Sequence, residues 1–244
     1  MNRGVMNLDM GRAAPLLGAL WATVAVAADL VPVAGDSARP PPPWHFAGMP
    51  FKAKPATQFS VVVLDGARVL RLDADRSFGN LVHPLAVGTQ AGVLAWRSRI
   101  ERPTVDADLT SRGGEDSALR VCATFELPLA RVPFFERQLL RLAQAHNDEP
   151  LPSAMLCYVA DSALPVGTLV VSPYTSRMRS IVVTHPAPGQ WSTERHDLGA
   201  DFLRAFGDES ATVPSLTAVV VGADADNTGS HSLAYLAALH HTPP

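Results

Sequence analysis

The sequence predicts a mainly β protein, an antiparallel β-sandwich of jelly-roll type with one or two short covering helices. Three observations carry that expectation. Short runs rich in Val, Ile, Leu and aromatic residues recur from Phe59 to Leu239, each bounded by Gly, Pro, Asn or Asp. The 21 Pro and 17 Gly are spread along the chain, which is punctuation too frequent for long helices. In the clearest run, Val93–Ile100, Leu94, Trp96, Ser98 and Ile100 share one face while Arg97 and Arg99 share the other with Glu101.

The first segment reads as targeting rather than fold. Arg3 and Arg12 precede the apolar run Ala13–Ala28, and Ala25 and Ala27 offer small-residue positions for cleavage. Residues 1–27 are therefore expected to be a signal peptide cut near Ala27, with Met6 and Met10 as alternative starts. The run is short for a bilayer span and no stop-transfer pattern follows, so no transmembrane segment is expected after cleavage, an uncleaved anchor being the alternative. No Cys follows it, which argues against a lipoprotein. The expected location is periplasmic or secreted. Residues 28–43 end in Arg39-Pro-Pro-Pro-Pro-Trp44 and predict a Pro-rich linker, leaving 44–240 as a single domain. A net charge of −3 gives no electrostatic case for nucleic acid or an anionic membrane.

Strands are then expected at Phe59–Leu64, Arg68–Asp73 and Gly79–His83, the first two joined by an Asp65-Gly66 hairpin turn. After Val93–Ile100 comes a polar loop, 106–116, and a strand placing Leu119, Val121, Ala123 and Phe125 opposite Arg120, Cys122, Thr124 and Glu126. A helix is predicted from Pro133 to about His146, with an apolar stripe of Phe135, Leu139, Leu142 and Ala143. Its two readings are a cover for a sheet face or edge, and a membrane-surface or partner helix. Further strands follow at Ala154–Val159, Gly167–Val171, Arg179–Thr184 and Gln190–Arg195. A helical turn, Ala200–Phe206, should stop at Gly207 in a left-handed cap. Thr217–Val221 is a buried strand. The Ala and Leu content of His231–Leu239 favours a helix, but Leu233, Tyr235, Ala237 and Leu239 alternate, so a last strand is expected there. The predicted core includes Trp96, Val121, Phe125, Val159, Val182, Val219 and Val221, between the two sheets. Cys122 and Cys157 each fall on an expected strand; they are bonded if those two strands pair closely, the alternative being two buried thiols.

Catalytic signatures are missing: no G-x-S-x-G, H-E-x-x-H, Walker loop, Rossmann glycine pattern or C-x-x-C occurs. The eight His show no metal spacing, and His240-His241 reads as a solvated tail. Two acidic loops remain. Glu115 and Asp116 precede one strand, and Asp224, Asp226 and Asn227 follow another. Brought to one rim, these carboxylates are candidates for acid–base work on a sugar or for calcium held by Asp116, Asp224 and Asp226. They also suit plain turn caps. An EF-hand is rejected, because Tyr235 stands where the bidentate Glu belongs. Tyr174, Arg177 and Arg179 form a second polar group able to take a sugar or carboxylate by stacking and forked hydrogen bonds. The candidate ligand-binding set is Asp116, Arg120, Tyr174, Arg177, Arg179, Asp224, Asp226 and Asn227.

Several segments resemble a bacterial exported family, domain-of-unknown-function family 3047. They are Leu94-Ala-Trp-Arg97, Arg112-Gly-Gly-Glu-Asp116 with Arg120, Leu156-Cys-Tyr-Val159, Pro165-Val-Gly-Thr168, Ser172-Pro-Tyr-Thr175, Asp201-Phe202 with Phe206-Gly207, and Asp224-Ala-Asp-Asn-Thr-Gly229. Glu115 stands where the family tends to have Asp, and Cys122 where an aromatic residue is usual. The resemblance implies a β-sandwich and an exported location, and brings no activity. The leading functional expectation, by fold analogy, is a non-catalytic module binding a saccharide or other cell-envelope ligand, whether glycan or small molecule. The alternatives are an envelope polysaccharide hydrolase or lyase using rim carboxylates, and a structural envelope protein.

Overall fold

The alternating runs resolve into two stacked sheets. The structure is a computed structural model that describes residues 1, 30–48, 54–145 and 150–244. The expected signal peptide, apart from Met1, lies outside the described residues. One sheet has seven strands in the order β1 (His45–Ala47), β4 (Phe78–Pro84), β11 (Leu216–Asp224), β6 (Ser117–Phe125), β7 (Ala154–Ala160), β9 (Met178–Thr184) and β8 (Leu169–Val171). The other has five, in the order β10 (Trp191–Asp197), β5 (Val93–Arg102), β12 (His231–Thr242), β3 (Ala67–Asp75) and β2 (Gln58–Leu64). Two helices interrupt them, α1 (Phe134–Gln144) and α2 (Leu198–Phe206). Pairing is antiparallel except between β7 and β9. That exception follows from the chain leaving β7, forming the edge strand β8 and returning as β9 between the two. The architecture is the predicted sandwich.

Local chemistry accounts for the junctions. Asp65 and Gly66 have φ of 52° and 77°, both left-handed, as the two-residue turn of the β2–β3 hairpin requires. Asp197 caps α2, its carboxylate accepting from the Gly199 and Ala200 N–H groups. Gly207 corrects an expectation: its φ is −64°, right-handed, and glycine is needed because a Cβ would run into the Leu203 carbonyl.

The inner faces meet in one core. Trp96, Val121, Phe125, Val219 and Val221 are buried there, and Leu198, Phe202, Ala205 and Phe206 of α2 close it. Val159 and Val182 are buried but belong elsewhere. Tyr158 and Ile181 point inward, so alternation sends Val159 and Val182 to the outer face, under Leu109 of the 106–116 loop. The helix α1 is also a correction to the expected cover, for none of its residues is buried. It borders the outer face of the seven-stranded sheet instead.

Residues 30–43, expected as a linker, lie against the sandwich. Leu30 and Val33 join the core with Trp44. The Val31 N–H donates to Nε2 of His83, the Trp44 indole N–H donates to the Val31 carbonyl, and the Val61 N–H donates to the Ala38 carbonyl. Composition concealed this, because two apolar side chains spaced three apart give no periodic signal. His83 is fully buried on β4, and burial pulls its pKa below the ordinary 6.5. A base with a depressed folded pKa contributes stability above pH 6.5 and loses it as pH falls through the folded value. Wild-type protein should therefore lose more melting temperature between pH 7.5 and 5.5 than His83→Gln, which keeps an acceptor without a titrating ring. Equal losses in the two proteins would contradict this role.

Candidate functional site

The register of three central strands assembles the polar site. On β11 and β6, Gly222 lies opposite Arg120, and on β11 and β4 it lies opposite Asn80. All three stand on the outer face, where the missing Cβ of Gly222 leaves room for the Asn80 side-chain amide to lie against it. At the end of β11 the chain enters the 224–229 loop, which turns at Gly229 with φ 64°. The two acidic loops do meet, as expected.

The carboxylates arrive already partnered. Asp224 accepts from the Ser117 N–H at 2.6 Å and from Nη2 of Arg120 at 2.9 and 3.2 Å. The other arm of Arg120 donates to Oε1 of Glu115 at 3.1 Å, and Nη2 also reaches the Glu115 carbonyl. Asp116 accepts from the Asn227 and Thr228 N–H groups and the Thr228 hydroxyl, and so caps the 224–229 loop. Asp226 pairs with Nζ of Lys54 at 3.0 Å. Burial pushes the Asp224 carboxyl up to about 7; Arg120 pulls it down without fully offsetting burial. Burial also opposes the charge on Arg120, but Asp224 and Glu115 outweigh it and hold the guanidinium above its ordinary value.

Asp116, Asp224 and Asp226 bring ligand oxygens within 4.8 Å of one another, and their hard donors fit calcium by type. Among the described residues Asp226 Oδ1 is buried with no hydrogen-bond donor, while the other oxygens carry protein donors. Since Arg120, Lys54 and backbone N–H groups already offset these charges, calcium or chelator should leave the melting temperature unmoved while Asp226→Ala lowers it. A rise of several degrees with calcium would contradict that.

Beside this network lies a cleft of about 220 Å³, lined by Asn80, Tyr174 and Asn227 with Phe78, Met155 and Met178. Tyr174 is about half exposed, at 48%. Its hydroxyl donates to the Arg112 carbonyl at 2.6 Å and sits 3.1 Å from Oδ1 of Asn227, with the Arg112 guanidinium 5.5 Å from its ring centre. The Asn80 amide makes no hydrogen bond among the described residues.

Arg177 and Arg179 are not part of this site. Arg177 forks onto Glu209 with both distances 2.7 Å, and Arg179 pairs with Asp208 at 2.9 Å and Glu209 at 2.5 Å. Arg179 also lies 4.3 Å from the Phe206 ring centre and donates to the Ala205 carbonyl, which ties β9 to the end of α2. Arg179 holds the Asp208 carboxyl below the ordinary carboxylate range. Sequence reasoning also missed Phe78, Asn80, Met155 and Met178. The available signal was alternation, since Met155 and Met178 fall on the outward parity of their strands. Cys122 and Cys157 face each other across β6 and β7 and form a disulfide beneath the cleft.

A family model described as "Protein of unknown function (DUF3047)" matches residues 42–240. The chain belongs to this family. Three of the segments that carried the resemblance, Arg112–Asp116, Ser172–Thr175 and Asp224–Gly229, meet in the network just described. No curated protein matches this DUF3047 chain. Among solved structures it is similar to TmCBM61 in complex with β-1,4-galactotriose, at 8% identity and TM-score 0.35, covering 83% of this chain and 90% of that one. It is similar also to the xyloglucanase domain of NopAA, a type three effector from Sinorhizobium fredii, in complex with cellobiose (8% identity, TM-score 0.42, coverage 83% and 98%). A third is the Trichoderma harzianum endoglucanase 3 from family GH12 (8% identity, TM-score 0.40, coverage 84% and 99%).

Proposed function

We propose that the protein is an exported, non-catalytic binding module that holds a saccharide-bearing cell-envelope ligand in the Tyr174–Asn80 cleft. The observation that carries this is the division of labour in the site. The carboxylates are occupied with Arg120, Ser117, Thr228 and Lys54, while the half-exposed Tyr174 ring and the unbonded Asn80 amide line the open space. An aromatic face beside amide donors and acceptors suits a polyhydroxylated ring, with C–H groups on the ring face and hydroxyls on the amides. The Cys122–Cys157 disulfide supports an oxidising location, in keeping with the expected signal peptide. Among the described residues, no helix is long and apolar enough to cross a membrane.

A glycan and metabolite binding screen on the mature protein tests the reading. A ligand should emerge whose affinity falls at least tenfold in both Tyr174→Ala and Asn80→Ala. Binding that survives both substitutions places the ligand elsewhere and sinks the proposal. A hydrolase or lyase reading has one observation of its own, the Asp224 carboxyl raised to about 7 beside Glu115. Arg120 and the Ser117 N–H already donate to that carboxylate, which leaves it poorly placed to pass on a proton. Release of reducing ends or unsaturated products from envelope polysaccharide, lost in Asp224→Asn, would instead establish catalysis.

A further inference from the structure

We propose that the ligand is an amphiphile, with an apolar chain lying along the outer face of the seven-stranded sheet and a neutral polyhydroxylated head in the Tyr174–Asn80 cleft. This rests on the reading of the cleft given above and extends it to the class of ligand.

The outer face of a sandwich is where alternation should place polar side chains. Here it is apolar. Cys122, Cys157 and Val220 are buried there, with Val82, Met155 and Met178 against them. Beside that floor stands α1, which buries none of its 11 residues and leaves Phe135 at 80% and Leu139 at 61% exposure. A helix that short draws its stability from packing its apolar face, and among the described residues none of this one's side chains is fully buried. Between helix and sheet lies a groove of about 760 Å³ lined by Leu139, Leu140, Leu151, Met155 and Met178. A second groove of about 790 Å³ continues it past Leu151, Pro152 and Met155 towards Val82 and Val220. Phe78 and Met155 line both grooves and also the polar cleft, so the three spaces adjoin. An apolar trough that opens into one polar pocket is the shape of a site for a chain with a head.

Charge selects the head. Glu115 and Asp224 line the polar pocket with Arg120 as its one lining guanidinium, shared between them, and the Arg112 guanidinium beside the Tyr174 ring donates to the Pro173 carbonyl, so the pocket does not favour an anionic head. The other cation on the groove, Arg177, is already forked onto Glu209 and offers no pairing for a fatty-acid carboxylate or a phosphate. Neutral hydroxyls meet no such penalty at Asn80, Asn227 and Tyr174.

Calorimetric titration of the mature protein with alkyl maltosides of increasing chain length, each below its micelle concentration, tests this. Affinity should rise roughly fourfold per added methylene, and dodecyl phosphate should bind at least tenfold more weakly than dodecyl maltoside. Leu139→Ser lies on an exposed position and should fold normally, so its melting curve should match wild type while dodecyl maltoside binding falls tenfold. Affinity independent of chain length, no binding of any alkyl maltoside, or full binding by Leu139→Ser overturns the proposal. If maltose alone binds as tightly as dodecyl maltoside, the chain is not held and only the saccharide reading stands. If ligands from the glycan screen bind elsewhere, the saccharide reading fails first.

Discussion

Arg120→Ala should cost about 3–5 kcal/mol of folding stability, because it strips the cation from two buried carboxylates. Arg120, Glu115 and Asp224 are each about 6% exposed, and one guanidinium serves both acids. Truncation leaves Glu115 and Asp224 facing each other with, among the described residues, the Ser117 N–H and the Ser172 hydroxyl as their remaining carboxylate donors. The loss should depend on pH, in a direction that follows from Asp224. Its folded pKa, about 7, is raised above the ordinary 3.8. An acid raised in this way contributes stability that is complete below its unfolded pKa and is lost as pH rises through the folded one. Without Arg120 the folded value rises further. At pH 5 the variant's Asp224 is then protonated and tolerable, whereas at pH 8 it must be buried as an anion or ionise by unfolding. Urea denaturation at the two pH values should show the larger difference from wild type at pH 8. A difference below about 1 kcal/mol at both would mean the network is not what holds the acidic loops.

Phe125→Ala should cost a similar amount, about 3–5 kcal/mol, for a different reason. Phe125 is 1% exposed and its ring centre lies 4.6 Å from that of Phe202. Truncation opens a cavity between β6 and α2 that neither a strand nor a capped helix can collapse to fill. Chemical denaturation reads it directly. A loss under about 1 kcal/mol would indicate that β6 presents its other face to the core.

Both residues show what could be read in advance. The parity that put Phe125 inward and Arg120 outward was visible as alternation in β6, and the same rule identified β5 and β12, while the β2–β3 hairpin was legible from its Asp65-Gly66 turn. Alternation specifies a face but not what covers it. Val159 and Val182 looked like core because they are β-branched and central, yet they lie under Leu109, brought from a loop of no regular period. The convergence of the acidic loops was legible only as a condition on how the strands pair, since one loop precedes its strand and the other follows its own. Their partners were not. Arg177 and Arg179 pair with Glu209 and Asp208, about 30 residues on, through the turn after α2. Two Arg near a Tyr in sequence carry no sign of such long-range pairing. The groove was the least legible feature, since Phe78, Leu139, Met155 and Tyr174 come from four separate segments. Each is unremarkable locally, and only the outward parity of the two methionines and the unburied stripe of α1 hint at it.

Hydrogen–deuterium exchange with and without a ligand found by the glycan screen tests the central claim, that the outer face of the seven-stranded sheet is the binding site. Peptides carrying Phe78–Asn80, Met155 and Tyr174–Met178 should gain protection together, while β10 and the outer face of β5 stay unchanged. Protection confined to the five-stranded sheet, or none at the cleft with ligand bound, would contradict it.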